Sequence, residues 1–142
     1  MPARKTLPKT GELYQLVNRG FCKMNIFREE ADYLYFKGLV GTYSGGVDIE
    51  AYALVPNHFH FLVKQIKGDG IASFAARLSM VYSRHFNRKY RRKGTLYEGR
   101  YCLDRIRDDR HYQNVVNYIL NNPAKHKLIK LGRDGVSGLK RP

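Results

Sequence analysis

The stretch Val47-Asp-Ile-Glu-Ala-Tyr-Ala-Leu-Val-Pro-Asn-His-Phe-His-Phe-Leu-Val-Lys-Gln65 determines how the rest of the chain folds. β-Branched and aromatic residues on both sides of Pro56-Asn57 predict two strands, Val47–Val55 and His58–Gln65. A connection this short allows only an antiparallel pair, because parallel strands need a crossover of a dozen or more residues. The stretch therefore predicts an antiparallel hairpin on which the other elements pack.

Side chains along the second of these strands alternate between two faces. Phe59, Phe61 and Val63 share an apolar face, whereas His58 and His60 point the other way. Two imidazoles at positions i and i+2 lie side by side, close enough to share one metal ion, and the apolar face behind them anchors the strand. The spacing is equally consistent with two surface histidines beside an apolar core, so a metal site needs a third ligand.

The elements on either side of the hairpin complete an α+β pattern. Apolar residues at Ala31, Leu34, Tyr35 and Leu39 have helical spacing. The predicted order is a strand at 13–17, a helix at 28–42, the hairpin, a long helix opened by Asp69-Gly70, an extended segment at 95–106 and a helix from about 108 to 123. This order suits a ferredoxin-like split β-α-β sandwich, in which helices pack on an antiparallel sheet.

Length and composition are typical of one domain. With 142 residues and 43% hydrophobic content, the chain can bury a core without disulfides. We expect a single domain over residues 1–142, with its core at about 11–128 and flexible ends at 2–10 and 130–142. The sequence has no long apolar run and no apolar region near its N-terminus, so we expect neither a membrane span nor a secretory signal. Cys22 and Cys102 form no CxxC pair, which favours a reducing cytoplasm.

The net charge of +14 and the pI near 10.0 are the strongest compositional signals. Such a charge attracts polyanions, and neutralising nucleic-acid phosphates releases condensed counterions. Acidic membranes are a weaker candidate, because no basic segment carries the continuous apolar face of a membrane-surface helix. Charge alone does not separate a DNA enzyme from a ribosomal-type basic protein.

The densest basic segment follows the long helix. Aromatic residues interleaved with arginines are a suitable surface for single strands and hairpin ends. The aromatics, such as Tyr82 and Phe86, are also suitable core residues, and we expect most of them to be core while the charges contact DNA. The residues expected to bind DNA are Arg84, Arg88, Lys89, Arg91, Arg92, Lys93 and, after the last helix, Lys125.

One tyrosine of the last predicted helix lies in the middle of a polar face. The chain has eleven tyrosines, so composition cannot identify a nucleophile. At about 100° per residue, Tyr118 is surrounded by polar side chains, namely His111, Asn114, Asn121, Asn122 and Lys125. If this face meets the histidines, Asn122, one turn after Tyr118, can offer its carbonyl oxygen to the same metal ion. Taken alone, the helix favours a structural interpretation in which Asn122 caps the turn at Pro123.

Five stretches of the chain together resemble the HUH single-tyrosine transposases, in particular the REP-associated tyrosine transposases. They occur in the order of that family and extend over residues from about 12 to 128. The block Pro-Asn-His-x-His and the block Tyr-x3-Asn-Pro are specific as a pair. The matching stretches are Asn18–Gly20, Ala51–Leu62, Tyr82–Asn87, Gly94–Tyr101 and Asn117–Pro123.

The resemblance implies roles for individual residues. His58 and His60 are implied to hold Mg²⁺ or Mn²⁺, with Asn122 as the third protein ligand, where insertion-sequence members often have glutamine. Tyr118 is implied to be the nucleophile that forms a 5′-phosphotyrosine bond and leaves a free 3′-hydroxyl. The implied partner is single-stranded or hairpin DNA of a repetitive palindromic element in a bacterial cytoplasm, where the bound protein associates with the nucleoid. Members of the family act as monomers or as homodimers that exchange their tyrosine helices.

Two other hypotheses remain open at the level of sequence. The chain is also consistent with a non-catalytic basic module that binds structured RNA or DNA without a metal ion. A domesticated or decayed transposase would keep the same residues without useful turnover.

Overall fold

The computed structural model describes residues 7–130, which form a five-stranded sheet and three α-helices. A short 3-10 turn at Phe21–Lys23 follows the first strand. The elements in chain order are β1 (Leu13–Arg19), α1 (Glu30–Tyr43), β2 (Val47–Val55), β3 (His58–Gln65), α2 (Gly70–Lys89), β4 (Cys102–Arg105), α3 (Asp109–Asn121) and β5 (His126–Ile129). The hairpin strands have the bounds that the sequence predicts.

The sheet has the strand order β4-β1-β3-β2-β5, and every neighbouring pair is antiparallel. The first strand lies beside the third, with Val17 opposite His60 and Arg19 opposite His58. The predicted fold class, an α+β sandwich with an antiparallel sheet, is confirmed.

The two faces of the sheet are covered unequally. On one face α1 and α2 enclose a large aromatic core that includes Phe36, Phe59, Phe61 and Tyr82. On the other face α3 packs through a small apolar cluster, which consists of Ala51, Ala53, Leu62, Val115, Val116 and Ile119. Because side chains alternate along β3, the histidines belong to the face that α3 covers.

Helix α1 presents a different face to the core from the one that its apolar residues suggest. Leu34 and Tyr35 are 54% and 38% exposed, whereas Asp32, Phe36 and Val40 are buried. The carboxylate of Asp32 points into the protein, where it accepts four hydrogen bonds. The donors are the backbone N–H groups of residues 28 and 29 and the side chains of residues 89 and 90. Hydrogen bonds from this many donors offset the free-energy cost of removing the carboxylate from water.

Two edges of the sheet differ from the sequence-based expectation. Only Cys102–Arg105 of the extended segment 95–106 forms a regular strand, while Leu96 and Tyr97 are buried in a loop beside Gly20. The edge strand β5 has no counterpart in the prediction. Of the ends predicted to be flexible, residues 2–6 and 131–142 lie outside the described residues. None of the helices within residues 7–130 combines the length and hydrophobicity required to cross a bilayer.

Candidate functional site

The two histidines open β3 on the face covered by α3. His58 follows the Pro56-Asn57 turn directly, and His60 is only 7% exposed. Burial, followed by the nearby positive charge of His58, lowers the pKa of His60 to about 4. Burial and the charge of Arg19 lower the pKa of His58 below its ordinary value of 6.5. Both rings are therefore neutral at neutral pH, which is the form that binds metal ions.

Helix α3 brings Tyr118 to this pair. The Tyr118 hydroxyl oxygen lies 3.3 Å from Nε2 of His58, and its ring centroid lies 4.9 Å from that of His60. The helix begins at a side-chain cap, in which Asp108 accepts from the backbone N–H of His111 at 2.8 Å. Tyr118 itself is 46% exposed. The structure thus places a solvent-accessible phenol against both imidazoles within a single chain.

The tautomer of His58 is fixed by the preceding residue. Oδ1 of Asn57 lies 2.9 Å from Nδ1 of His58. An amide oxygen only accepts hydrogen bonds, so Nδ1 donates and Nε2 keeps its lone pair. The Tyr118 hydroxyl accordingly donates to Nε2, and the same lone pair is the one that a metal ion would use. A histidine oriented by its second nitrogen in this way is a recurrent feature of metal sites.

A glutamine on β1 contacts the second histidine. Oε1 of Gln15 lies 3.0 Å from Nε2 of His60. The other end of the same amide donates to Asp104 on β4 at 3.0 Å. Gln15 therefore bridges the neighbouring strand to the histidine pair.

The described contacts of Asn122 are those of a turn cap. Asn122 follows α3 as its C-cap, and its Oδ1 accepts from the backbone N–H of Ala124 at 2.8 Å. Its backbone carbonyl accepts from Lys127 at 2.9 Å. The structure places Asn122 one turn after Tyr118, as the sequence predicts, with its side-chain oxygen engaged in the turn.

The basic segment lies on the opposite face of the sheet from the histidines. Arg84 and Arg88 are exposed on α2, which covers that face, and Arg91 and Lys93 are exposed in the loop that follows α2. Lys125, after α3, is also exposed, and its Nζ lies 3.9 Å from Oε1 of a glutamate in α1.

Two of the basic residues have structural partners. Lys89 pairs with Asp32 at 2.7 Å and also contacts Glu29. Arg92 donates to Asn87 at 2.7 Å and to the carbonyl oxygen of Thr95 at 3.1 Å. Both side chains tie the end of α2 to its neighbours, in addition to any contact that they make with a ligand.

The end of α2 and the histidines meet at the same end of the sheet. The loop after α2 is bound to the end of β1, because Phe21 donates to the carbonyl oxygen of Leu96 and Glu98 donates to that of Arg19. Arg19 lies opposite His58 on the neighbouring strand, and its Nε is 3.6 Å from a carboxylate oxygen of Glu98. Arg19 thus supplies a positive charge directly beside the site.

Three residues of the site are not predicted from the sequence: Gln15, Arg19 and Asn57. Alternation along β1 puts Gln15 and Arg19 on one face, but only the pairing of β1 with β3 brings them to the histidines. For Asn57 a signal exists, because an amide next to a candidate ligand is a suitable acceptor for its second ring nitrogen.

The residues present suit a divalent ion with open coordination positions. Within residues 7–130, no three side chains drawn from His, Cys, Asp and Glu are grouped to hold a metal ion. The donors around His58 and His60 are instead a hydroxyl and an amide, both neutral. Neutral nitrogen and oxygen donors suit Mg²⁺ or Mn²⁺ that also binds phosphate oxygens and water, rather than a closed zinc site.

Comparison with known proteins agrees with the resemblance seen in the sequence. A family model described as IS200-like transposase matches residues 13–122. A Haemophilus influenzae protein named as a REP-associated tyrosine transposase is 29% identical over 97 residues, which are 59% of this chain. The chain spans about half of that curated relative, 53% of its length.

Two solved structures share the fold. One is a REP-associated tyrosine transposase bound to a REP hairpin, with a TM-score of 0.62 and 18% identity over 87% of this chain and 72% of that one. The other is a Deinococcus radiodurans protein described as a transposase, with a TM-score of 0.56 and 17% identity over 87% of this chain and 98% of that one. At these identities the structures establish the fold alone.

Proposed function

This chain belongs to the family of IS200-like transposases, and we propose that it cuts and rejoins single-stranded DNA with Tyr118 as the nucleophile. The observation that carries the proposal is the 3.3 Å separation between the Tyr118 hydroxyl and His58 Nε2. A metal ion held by the two neutral imidazoles would lie beside this phenol, where it could assist attack on a phosphodiester.

The proposed reaction is a balanced exchange of phosphodiester bonds. The Tyr118 oxygen attacks phosphorus and the phenol proton passes to solvent, while the bond from phosphorus to the 3′ oxygen breaks and that oxygen takes up a proton from solvent. The products are a 5′-phosphotyrosine bond and a free 3′-hydroxyl. Attack by a 3′-hydroxyl on the phosphotyrosine reverses the step and restores the phenol, so rejoining requires no ATP.

His58 and His60 are the residues that would hold the ion. When bound, Mg²⁺ or Mn²⁺ supplies Lewis-acid polarisation of the scissile phosphate. The role of the chain is to present neutral imidazoles, with Asn57 orienting His58, and to aim the hydroxyl of Tyr118 at the same point. Asn122, the third ligand implied by resemblance, would first have to release the backbone N–H of Ala124.

The proposed substrate is a DNA hairpin with a single-stranded flank. This proposal is supported by the structural neighbour, which is bound to a REP hairpin. It is also supported by the net charge of +14. Arg84, Arg88, Arg91 and Lys93 would contact phosphates behind the sheet, and Arg19 would contact the strand as it passes the sheet end to Tyr118.

The proposal is tested with an end-labelled hairpin carrying a single-stranded flank, incubated with Mg²⁺ or Mn²⁺. The unaltered chain is expected to form a denaturant-stable protein–DNA adduct. Tyr118→Phe should abolish the adduct while leaving DNA affinity intact, because the ring that contacts His60 is kept. Tyr35→Phe, on the outer face of α1, is the matched control and should cleave normally.

Adduct formation, together with DNA binding and metal binding, separates the rival hypotheses. Salt-sensitive, metal-independent DNA binding with no adduct would identify a non-catalytic binding module. Metal binding at His58 and His60 without an adduct would identify a decayed transposase. An adduct that persists in Tyr118→Phe would contradict the assignment of the nucleophile.

A further inference from the structure

Phe21 differs from every other phenylalanine of this chain in its exposure. The chain has seven phenylalanines, and Phe21 is 46% exposed, whereas the others are at most 2% exposed. The buried ones are Phe27, Phe36, Phe59, Phe61, Phe74 and Phe86. Single exposed apolar side chains are common on protein surfaces, so exposure alone assigns no role to Phe21. A role follows from where the fold holds this ring.

The turn that carries Phe21 is fixed by backbone hydrogen bonds. Gly20 donates to the carbonyl oxygen of Asn57 at 2.8 Å, and Phe21 donates to that of Leu96 at 2.9 Å. A Cβ atom on Gly20 would lie 2.1 Å from the carbonyl oxygen of Met24, so only glycine fits there. The backbone of Phe21 is therefore ordered before any ligand arrives, which lowers the entropic cost of binding one.

The two residues after Phe21 have a strained backbone. Cys22 and Lys23 have φ angles of 51° and 61°, in the left-handed region that side chains with a Cβ atom disfavour. Neither side chain is buried, so core packing of these residues does not account for the conformation. Strain of this kind is found preferentially at active sites and ligand-binding sites.

Phe21 lies close to the site of the proposed reaction. Arg19 is opposite His58 in the neighbouring antiparallel strand, so their Cα atoms are about 5 Å apart. Two further residues add at most about 7 Å, which places the Cα atom of Phe21 within about 12 Å of that of His58. Nε2 of His58 faces the hydroxyl of Tyr118. A DNA strand with a phosphate at Tyr118 therefore passes within reach of Phe21.

The surroundings of Phe21 are mainly cationic. Arg19 and Lys23 are exposed on either side of it, and Arg100 is exposed in the loop that is bound to the end of β1. One carboxylate, that of Glu98, lies among them, 3.6 Å from Nε of Arg19. Cations for the phosphates beside an aromatic face for the bases are the combination that binds single-stranded nucleic acid.

We propose that Phe21 stacks on an unpaired base of the DNA strand, beside the phosphate that Tyr118 attacks. The inference rests on the proposed function, which supplies the DNA strand and the point of attack. Every base has a π face, so the stack holds the strand in place without selecting its sequence. Phe21 is thus a positioning residue that takes no part in the exchange of bonds.

The test measures DNA affinity in the presence of a chelator, so that no cleavage occurs. One probe is a DNA hairpin with a single-stranded flank, and the other is the same hairpin with a blunt end. Phe21→Ala should weaken binding of the flanked hairpin by about 5- to 150-fold, the loss of one base–aromatic stack, and leave binding of the blunt hairpin unchanged. Fluorescence anisotropy gives the affinities, and thermal melting shows that the fold is kept.

The matched control is Leu34→Ala. Leu34 is an exposed apolar residue of α1, with 54% of its surface accessible. Its truncation removes a similar kind of surface away from the histidines, so it should leave the affinity for both probes unchanged. An equal loss of affinity in Leu34→Ala and Phe21→Ala would overturn the inference.

Two further variants separate stacking from apolar packing. Phe21→Trp keeps an aromatic face and should bind the flanked hairpin at least as tightly as the unaltered chain. Phe21→Leu keeps an apolar side chain without a π face and should bind at least about fivefold more weakly. Full affinity in Phe21→Leu would contradict stacking.

Abasic substitutions in the flank identify the base that is stacked. In the unaltered chain, removing one base next to the cleavage position should weaken binding. In Phe21→Ala the same abasic position should cause little further loss, because both changes remove the same contact. Losses that add at every position of the flank would contradict a contact between Phe21 and a base.

The outcomes distinguish this inference from the proposal on which it rests. If the unaltered chain forms no adduct with metal present, the proposed function is wrong, and the metal-free affinities still decide whether Phe21 stacks on a base. If the adduct forms and Phe21→Ala binds the flanked hairpin normally, only the role of Phe21 is overturned. A change in oligomeric state with unaltered DNA affinity would identify Phe21 as a contact between two copies of the chain and would also overturn it.

Discussion

The hydroxyl oxygen of Tyr118 lies 3.3 Å from Nε2 of His58, although the two residues are 60 positions apart in the chain. The contact forms within one chain and joins the tyrosine helix to the strand that carries both histidines. It follows that one chain holds the proposed nucleophile and the candidate metal ligands together.

This relationship predicts that the site works in cis. We expect a mixture of two inactive variants, Tyr118→Phe and the His58→Ala/His60→Ala pair, to form no adduct with hairpin DNA at any mixing ratio. Each chain in the mixture lacks one half of its own site, and exchange of helices is required for rescue. Adduct formation is measured on denaturing gels, and recovery that rises to about a quarter of normal activity at equal mixing would show that helices are exchanged between chains.

The second prediction concerns the small residues beneath α3, which determine how closely this helix packs on the sheet. Ala53 is fully buried beneath this helix, and overpacking such a position costs about 1–3 kcal/mol. We expect Ala53→Val to displace α3 and to slow adduct formation by more than its loss of stability accounts for. Urea unfolding and the adduct rate are measured in parallel.

The matched control for this prediction is Ala75→Val. Ala75 is 1% exposed in the core on the opposite face. The same added volume there should lower stability without slowing the chemistry of the folded fraction. Equal slowing in the two variants would show that the position of α3 is not what limits the reaction.

Asn57 provides a third prediction, because its oxygen fixes the ring of His58 at 2.9 Å. Asn57→Ala should weaken Mn²⁺ binding by about 10–100-fold, as expected for loss of an outer hydrogen bond to a ligand. Asn57→Asp keeps an acceptor and should bind at least as tightly as the unaltered chain. Calorimetry is the measurement, and equal affinity of Asn57→Ala and the unaltered chain would remove Asn57 from the site.

How far the sequence predicts the fold can be seen from three elements. Alternation along His58–Gln65 predicts both faces of β3, since a strand has a side-chain period of two residues. Helix α1 is predicted at the right place with the wrong face, because a sequence pattern treats Asp32 as a surface residue. Only the tertiary structure supplies the donors that bury it. The strand β5 is four residues long and is held by its pairing with β2, which no local pattern records.

For the site, the sequence identifies the residues proposed to carry the chemistry but not the neighbours that contact them. His58, His60 and Tyr118 stand out through motif and polar face. Gln15 and Arg19 become site residues only through the register of β1 against β3, which places them within reach of the histidines. Register between strands that are distant in sequence depends on the whole sheet, so a local pattern does not determine it.

Among the basic residues at the end of α2, we expect some to stabilise the fold and others to bind DNA. Lys89 is tied to Asp32 and Glu29, whereas Arg88 is exposed. Lys89→Ala should lower the melting temperature, while Arg88→Ala should weaken hairpin binding with little change in stability. In Arg88→Ala, the slope of log affinity against log salt should fall in magnitude by roughly 0.7, the value for one phosphate contact on a single strand. An unchanged slope would mean that Arg88 contacts no phosphate.

The central claim, that Tyr118 attacks DNA, is tested most directly by locating the covalent bond in the adduct. Trypsin releases residues 111–125 as one peptide, which contains Tyr112 and Tyr118. After nuclease trimming, fragmentation in a mass spectrometer assigns the nucleotide to one of the two side chains. We predict a nucleotide on Tyr118, formed only when Mg²⁺ or Mn²⁺ is present. A nucleotide on Tyr112 or on any tyrosine outside this peptide would contradict the account.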